Sequence, residues 1–344
     1  AIGTGTQSSG SHSVALGQAY ASGADSFAAA IGNSSNSYGA QGSNSVAMSA
    51  NALASGLGAF ALGRNTTASG ADSLAFGSSA VASGANTLSI GSNTDATGNS
   101  SVAIGNTAQS VGAYSVSLGQ SYASGTDSFA AAIGTNSTSY GASGANSVAM
   151  GYQAKANGAK ATAIGYSTIA SANGAKAFGG FGAGIGTTAS AEGATAIGDG
   201  ALANVSYKTA ITTRPFSVAG DAQTGILVLK AATTDATAKA LSSDTNTAGS
   251  GNQIILPNES AMTFTGTVVV REDATDGDDY AGWEIKGVIM RQGQASDTTL
   301  GVGIVNSLYH TSGLANAAVA LSADTTNGGL KIQVTGIAST NLNW

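Results

Sequence analysis

Phe60-Ala61-Leu62-Gly63-Arg64-Asn65-Thr66-Thr67-Ala68-Ser69-Gly70-Ala71-Asp72-Ser73 is followed at once by Leu74-Ala75-Phe76-Gly77-Ser78-Ser79-Ala80-Val81-Ala82-Ser83-Gly84-Ala85-Asn86-Thr87. The two lines overlay residue for residue at a spacing of fourteen, and Gly63, Gly77, Gly91, Gly105 and Gly119 keep that spacing. The same core (a small residue, an apolar residue, Ala or Ser, an apolar residue, Gly) reads Ser13-Val14-Ala15-Leu16-Gly17 and Ser101-Val102-Ala103-Ile104-Gly105. A fixed period of this length predicts a solenoid with one coil per repeat. After the core comes a weaker strand such as Ala80-Val81-Ala82-Ser83 and a second glycine. Each coil is therefore read as two short strands and two corners, a flattened parallel β-roll. Asp25, Asn44, Asp72, Asn86, Asp127 and Asn146 follow the second glycine by two residues, where Asn and Asp tolerate left-handed backbone.

The two apolar residues of a core sit at i and i+2 and share one strand face. Size alone puts them inside the roll and turns the middle residue (Ala15, Ala61, Ala75, Ala103) outward. A coil would then bury about three or four side chains at ~1–3 kcal/mol each. Ordering its residues costs roughly 15–20 kcal/mol, so coils must stack. The outer face is expected to be small and uncharged, as in strands covered on both sides. The economical cover is another copy of the chain, giving a homo-oligomer with rotational symmetry.

The period breaks twice in the same way. Gly17 to Gly32 to Ser49 steps by fifteen and seventeen, and so does Gly119 to Gly134 to Gly151. Ser26-Phe27-Ala28-Ala29-Ala30-Ile31-Gly32 recurs as Ser128-Phe129-Ala130-Ala131-Ala132-Ile133-Gly134, which marks a duplicated seven-coil block. About fourteen coils at ~4.8 Å each predict a roll about 65 Å long.

Only 9% of the 344 residues are charged, and there are 50 glycines but 2 prolines, Pro215 and Pro257, both outside the repeat. Low charge with Gly, Ser and Ala also describes disordered linkers, but the strict alternation speaks for a register. A net charge of −6 counts against nucleic acid as a partner. With no cysteine there is no disulfide framework or thiolate metal site. No apolar run reaches membrane-spanning length, and no signal peptide is evident. The start at Ala1-Ile2-Gly3, the end of a repeat core, leads us to expect a fragment of a longer polypeptide.

Asn146-Ser147-Val148-Ala149-Met150-Gly151 and Asn99-Ser100-Ser101-Val102-Ala103-Ile104-Gly105, with the second-strand glycines, resemble the head repeats of YadA-like trimeric autotransporter adhesins over about residues 1–200. The resemblance implies a left-handed roll, a tight homotrimer and surface attachment. The expected organisation is a β-roll over 1–203, a neck over 204–224 with Arg214-Pro215-Phe216 breaking the ladder, and an antiparallel β-sandwich tip over 225–344. Longer alternating strands support the sandwich: Gly225–Leu229, Ala261–Val270, Trp283–Met290 and Leu330–Val334, with Asn327-Gly328 as a two-residue hairpin signal. Gln253-Ile254-Ile255-Leu256-Pro257, Leu321–Leu330 and the terminal Asn341-Leu342-Asn343-Trp344 resemble C-terminal domains of tail-fibre-like proteins of marine bacteriophages.

Catalytic residues are scarce. His12 and His310 lie in different domains; His12 is placed on a corner position otherwise held by residues such as Ala113 and Ala145, and both histidines are read as structural or surface residues. There is no Gly-x-Ser-x-Gly elbow and no His-x-x-x-His pair. Gly180-Phe181-Gly182-Ala183-Gly184-Ile185-Gly186 is followed by no helical pattern, so it is read as an insertion between coils and not a phosphate loop. The sequons at Asn33, Asn65 and Asn136 follow from composition. Glu272-Asp273-Ala274-Thr275-Asp276-Gly277-Asp278-Asp279 offers oxygens for Ca²⁺ through Asp273, Asp276, Asp278 and Asp279. The plainer reading is a solvated hairpin tip.

No cofactor and no enzymatic activity are expected. The leading reading is an attachment fibre on a virion, a homotrimer recognising a host surface glycan or outer-membrane protein and joined to other virion proteins. The absence of a stalk and anchor barrel in this stretch favours that owner. The alternative is the head of a bacterial surface adhesin, and a third reading is a fibre-borne glycan depolymerase.

Overall fold

The computed structural model describes residues 1–30, 32, 37–134, 139–180, 185–273 and 277–344. They fall into two compact units, Ala1–Thr187 and Thr188–Trp344. In the first, core strands such as Val46–Met48, Phe60–Leu62, Leu74–Ser78 and Leu88–Ser92 pair in parallel in one sheet. Return strands such as Leu53–Ala54, Thr67–Ala68 and Val81–Ala82 form the other. The fourteen-residue period is the register itself, since Leu74 lies beside Phe60 and Leu88, and Gly77 beside Gly91. Each rung is bonded to the next: the Phe60 N–H donates to the Ser73 carbonyl at 2.8 Å, and the Thr67 N–H to that of Ala80 at 2.9 Å.

Left-handed backbone marks both corners. Asp25, Asn44, Asp72, Asn86, Asp127 and Asn146 have φ between 52° and 56°, as the corner expectation requires. A second series, Asn65, Ser79, Asn93 and Thr107, does the same after the core glycine, and Asn51 does so after Ser49. Buried hydroxyls close the first corner on itself. Ser45, Ser73, Thr87 and Ser115 each donate to the carbonyl of the glycine three residues earlier at 2.6–2.8 Å, which satisfies those four hydroxyls, whereas those of Ser128 and Ser147 at the same position are buried without a partner.

The interior reverses the expected facing. Ala15, Ala28, Ala47, Ala61, Ala75 and Ala103 are fully buried, opposite fully buried return-strand alanines such as Ala21, Ala54, Ala68 and Ala82. The large flanking residues point outward, with Phe76 52% and Ile104 36% exposed. Two tight corners in every fourteen residues leave room between the sheets for methyl groups, far less than the ~10 Å of sheets packed through larger side chains.

The irregular coils also differ from the glycine spacing. Val14 pairs with Phe27 and Phe27 with Val46, and Val116, Phe129 and Val148 repeat this, so the steps are thirteen and nineteen. Ala30 and Ala132, at φ 54° and 55°, take the corner position in place of Gly32 and Gly134.

The second unit opens with the same coil. Thr188–Ala189 pairs with Leu202–Ala203 and Thr195–Ile197 with Thr209–Ile211, around buried Ala189, Ala196, Ala203 and Ala210. This brings the solenoid to about fourteen turns. The last core strand lies beyond residue 203, within the span expected to be neck. Thr224–Ile226, expected to begin the sandwich, instead adds antiparallel to Thr209–Ile211. Between them Asp221 accepts the Phe216, Ser217 and Val218 N–H groups at 2.7–3.0 Å. These donors, Val218 foremost, hold its carboxyl below the usual range.

Lys208 departs from the coil pattern. Its N–H bonds the Val205 carbonyl as those of Ala161, Ala175 and Ala194 bond three residues back in their own coils, so a lysine stands where the roll elsewhere holds Ala, Ser or Thr. Burial lowers its pKa to about 8, and its ammonium donates to the Leu202 carbonyl at 3.2 Å. The unfolded chain, with a lysine pKa of about 10.4, binds this proton more readily than the native state. The penalty, at most about 3 kcal/mol, is full below pH 8 and fades towards pH 10. Lys208→Met is expected to raise the melting temperature at pH 7 and to lose that advantage at pH 10 in thermal melts at the two pH values. An equal shift at both would dismiss the titration account.

Past residue 230 the unit holds two antiparallel sheets. One runs Ala232–Thr233, Leu342–Asn343, Ser260–Glu272, Tyr280–Arg291, Thr299–His310. The other runs Ala238–Ala240, Gly329–Thr335, Ile254–Ile255, with Ala318–Asp324 also on Gly329–Thr335. Val268, Val270, Trp283 and Ile285 of the first sheet and Leu330, Ile332 and Val334 of the second share one core, the expected sandwich. Trp344 stacks on Trp283 at 5.7 Å and donates its indole N–H to Thr233 at 2.9 Å, which pins the end of the chain. The Asn327-Gly328 turn is longer than expected: Asp324 pairs with Gly329, leaving four residues between. Burial alone would raise the Asp324 pKa, but the Asn327 amides and the Thr326 N–H outweigh it and hold it low.

Candidate binding surfaces

Two surfaces carry large apolar side chains. On the first unit, inward alanine forces every flanking core residue outward. Val14, Met48, Phe60, Phe76, Ile104, Met150 and Ile164 are each 36–52% exposed along that sheet. The return sheet presents a mixed outer row, in which Thr67, Asp95, Gln109 and Lys155 are interspersed with Leu53, Val81 and Ile169. Burial against its neighbours raises the Asp95 pKa, and one carboxylate oxygen there is buried without a partner. The apolar row and this mixed row are therefore opposite sides of one thin roll.

In the second unit, the strands 260–272, 280–291 and 299–310 present an open face. Inward positions are Val268, Val270, Ala281, Trp283 and Ile285, so alternation turns Tyr280, Gly282, Glu284 and Lys286 outward. Pairing sets Gly282 beside Val269 and Tyr309, and Glu284 beside Thr267 and Asn306. Tyr280 and Tyr309 stack with centroids 5.2 Å apart and an interplanar angle of 29°, about half exposed. The neighbouring Tyr280 phenol raises the Tyr309 pKa. Asn306 donates to Glu284 at 3.2 Å, and Lys286 lies 3.5 Å from the same oxygen. Those two partners, Asn306 first, hold the Glu284 carboxyl below its usual range.

The sequence candidates are distributed differently. His12 sits at φ 57° on the corner position of Asp25 and Asn146, one residue along from the Ala113 and Ala145 position expected for it. Its Nδ1 lies 3.2 Å from Asp25, with both side chains largely exposed. His310 ends the 299–310 strand, exposed and paired with Ala281. Asp273, Asp278 and Asp279 lie on the tip between the 260–272 and 280–291 strands, and Asp276 lies outside the described residues. Among the described residues no group of three or more His, Asp or Glu could hold a metal ion. Residues 181–184 of the glycine insertion, and Asn33 and Asn136 of the sequons, also lie outside the described residues. Asn65 is a corner residue that accepts from the Asn51 amide at 3.0 Å. No helix among the described residues is long and apolar enough to cross a membrane.

The family model of the YadA head domain repeat, which spans two copies, matches residues 1–19, 40–66, 68–94, 96–121, 142–168 and 156–181. These windows run through most of the first unit and skip the two long coils. No curated protein matches the chain. The chain thus carries YadA head repeats, the building block of adhesin-like surface fibres.

Proposed function

From these repeats we propose that the chain forms a homotrimeric attachment fibre, with the core-strand faces of three rolls turned towards a common axis and the C-terminal sandwich engaging a host-cell surface. The observation that carries the reading is the outward row Val14, Met48, Phe60, Phe76, Ile104, Met150, Ile164. Soluble monomers seldom expose so long an apolar patch, and each large side chain covered contributes about 1–2 kcal/mol. A cyclic assembly covers the same row on every copy. Its role is binding, with no chemical step, and three weak sites on one rod act together.

The repeats favour a bacterial surface adhesin as the owner. The resemblance of residues 221–344 to tail-fibre-like proteins supports a second reading, a virion appendage. Antibody raised against the chain is expected to label intact cells of the source in electron micrographs. Label confined to virus particles would establish the second reading in place of the first. Sedimentation equilibrium tests the assembly, with three times the 33.0 kDa chain mass expected. A folded monomer at micromolar concentration would remove it.

A further inference from the structure

The open face of the three long strands has features that a general apolar contact does not require. Gly282 stands in the outward row between Tyr280 and Glu284, directly beside Tyr309. A Cβ there would meet nothing closer than the Val268 carbonyl at 3.8 Å, so the glycine leaves an unfilled basin and not a tight approach. One end of the basin is the stacked Tyr280–Tyr309 pair. The other is the Glu284 carboxylate, fixed by Asn306 and Lys286. Tyr280 to Glu284 spans about 13 Å along the strand, the length of a disaccharide.

We propose that this basin around Gly282 is a carbohydrate site, in which a pyranose ring lays its C–H face on the tyrosine pair and a hydroxyl donates to Glu284. The inference rests on the attachment reading above and gives it a ligand class and a place. Aromatic rings attract the weakly positive C–H edge of a sugar through their quadrupole. A carboxylate accepts from hydroxyls, and holding it beforehand by Asn306 and Lys286 reduces the cost of ordering it on binding. Lys286 and Asn306 keep further N–H groups for ring or hydroxyl oxygens. A shallow open basin gives weak single-site affinity, which suits a polymeric ligand met by several copies at once.

The test uses the full chain on an array of gluco-, galacto- and manno-configured pyranose oligosaccharides, neutral and uronic, with whole-cell adhesion and light scattering in parallel. Wild-type protein is expected to bind at least one oligosaccharide. Gly282→Leu fills the basin at a position with room and no left-handed backbone, and Tyr309→Ala removes one ring. Each is expected to weaken binding at least tenfold at unchanged molecular mass. Array binding untouched by both variants, or an array silent while wild-type protein still adheres to cells, overturns the site and leaves the attachment reading standing. A variant that lowers the molecular mass marks the face as an interface between copies and also overturns it. Loss of both adhesion and array binding by wild-type protein removes the attachment reading and the site together.

Discussion

Phe76→Asp combined with Ile104→Asp is expected to turn a trimeric solution into monomers. The two side chains lie on neighbouring parts of one outward row, two coils apart in register through Ile90. Neither fills the alanine interior, since the fully buried residues of their own core strands are Ala75 and Ala103. A carboxylate in their place therefore spares the single roll. In an assembly it would bring three like charges together in a desolvated seam, where an unpaired charge costs several kcal/mol. Added to the lost burial of two large side chains on each copy, about 2 kcal/mol apiece, the effect exceeds ten kcal/mol per trimer. Sedimentation equilibrium should give the mass of one chain, with circular dichroism still reporting β-structure. Replacing Thr67 and Gln109 of the opposite return row by aspartate should leave the mass unchanged. A double variant that remains trimeric would place the subunit contacts on another face.

Much of this roll is written in the chain. The period, the glycine corners and the Asn or Asp after them each have a local cause, because a left-handed residue or a close rung restricts side chains wherever it occurs. Facing has no such local signature. Alternation in Ser-Leu-Ala-Phe-Gly separates Leu74 and Phe76 from Ala75 but does not say which set is inside. Size suggests the large pair, whereas the distance between the two sheets admits only Ala75. That distance is a property of stacked coils and cannot be read from one repeat. Coil length is hidden for a related reason: Gly32 and Gly134 carry the glycine pattern, but the ladder places Ala30 and Ala132 at the corner. Lys208 is hidden because lysine normally signals solvent, and only the coil register reveals it as the successor of Ala194. The basin on the sandwich was the least visible. Tyr280 and Tyr309 are remote in sequence and meet only because their strands pair across a bulge between Gly282 and Trp283.

The second large effect concerns the glycines, and three alanine substitutions separate its causes. At Gly70 the backbone is not left-handed, but a Cβ would overlap the Gly84 carbonyl of the next coil. At Gly119 φ is 77° and a Cβ would meet nothing within 4 Å. At Gly77 both conditions hold, with φ 135° and the Gly91 carbonyl in the way. Gly119→Ala should therefore cost only the left-handed penalty, about 1 kcal/mol. Gly70→Ala must push two rungs apart, straining the bonds from Ser69 and Gly70 to the Ala82 carbonyl, at about 4 kcal/mol. Gly77→Ala adds strained backbone to the same separation and should cost the most. Since stability in a solenoid is a sum over neighbouring coils, the damage should be local. Hydrogen exchange is expected to quicken over the coils between residues 60 and 100 in the Gly70 and Gly77 variants, and to stay near wild type in the Gly119 variant. If Gly119→Ala proved as damaging as Gly70→Ala, backbone conformation and not the closeness of successive rungs would be what holds the corners. The alanine-thin interior would then have to draw its stability from the faces between copies alone.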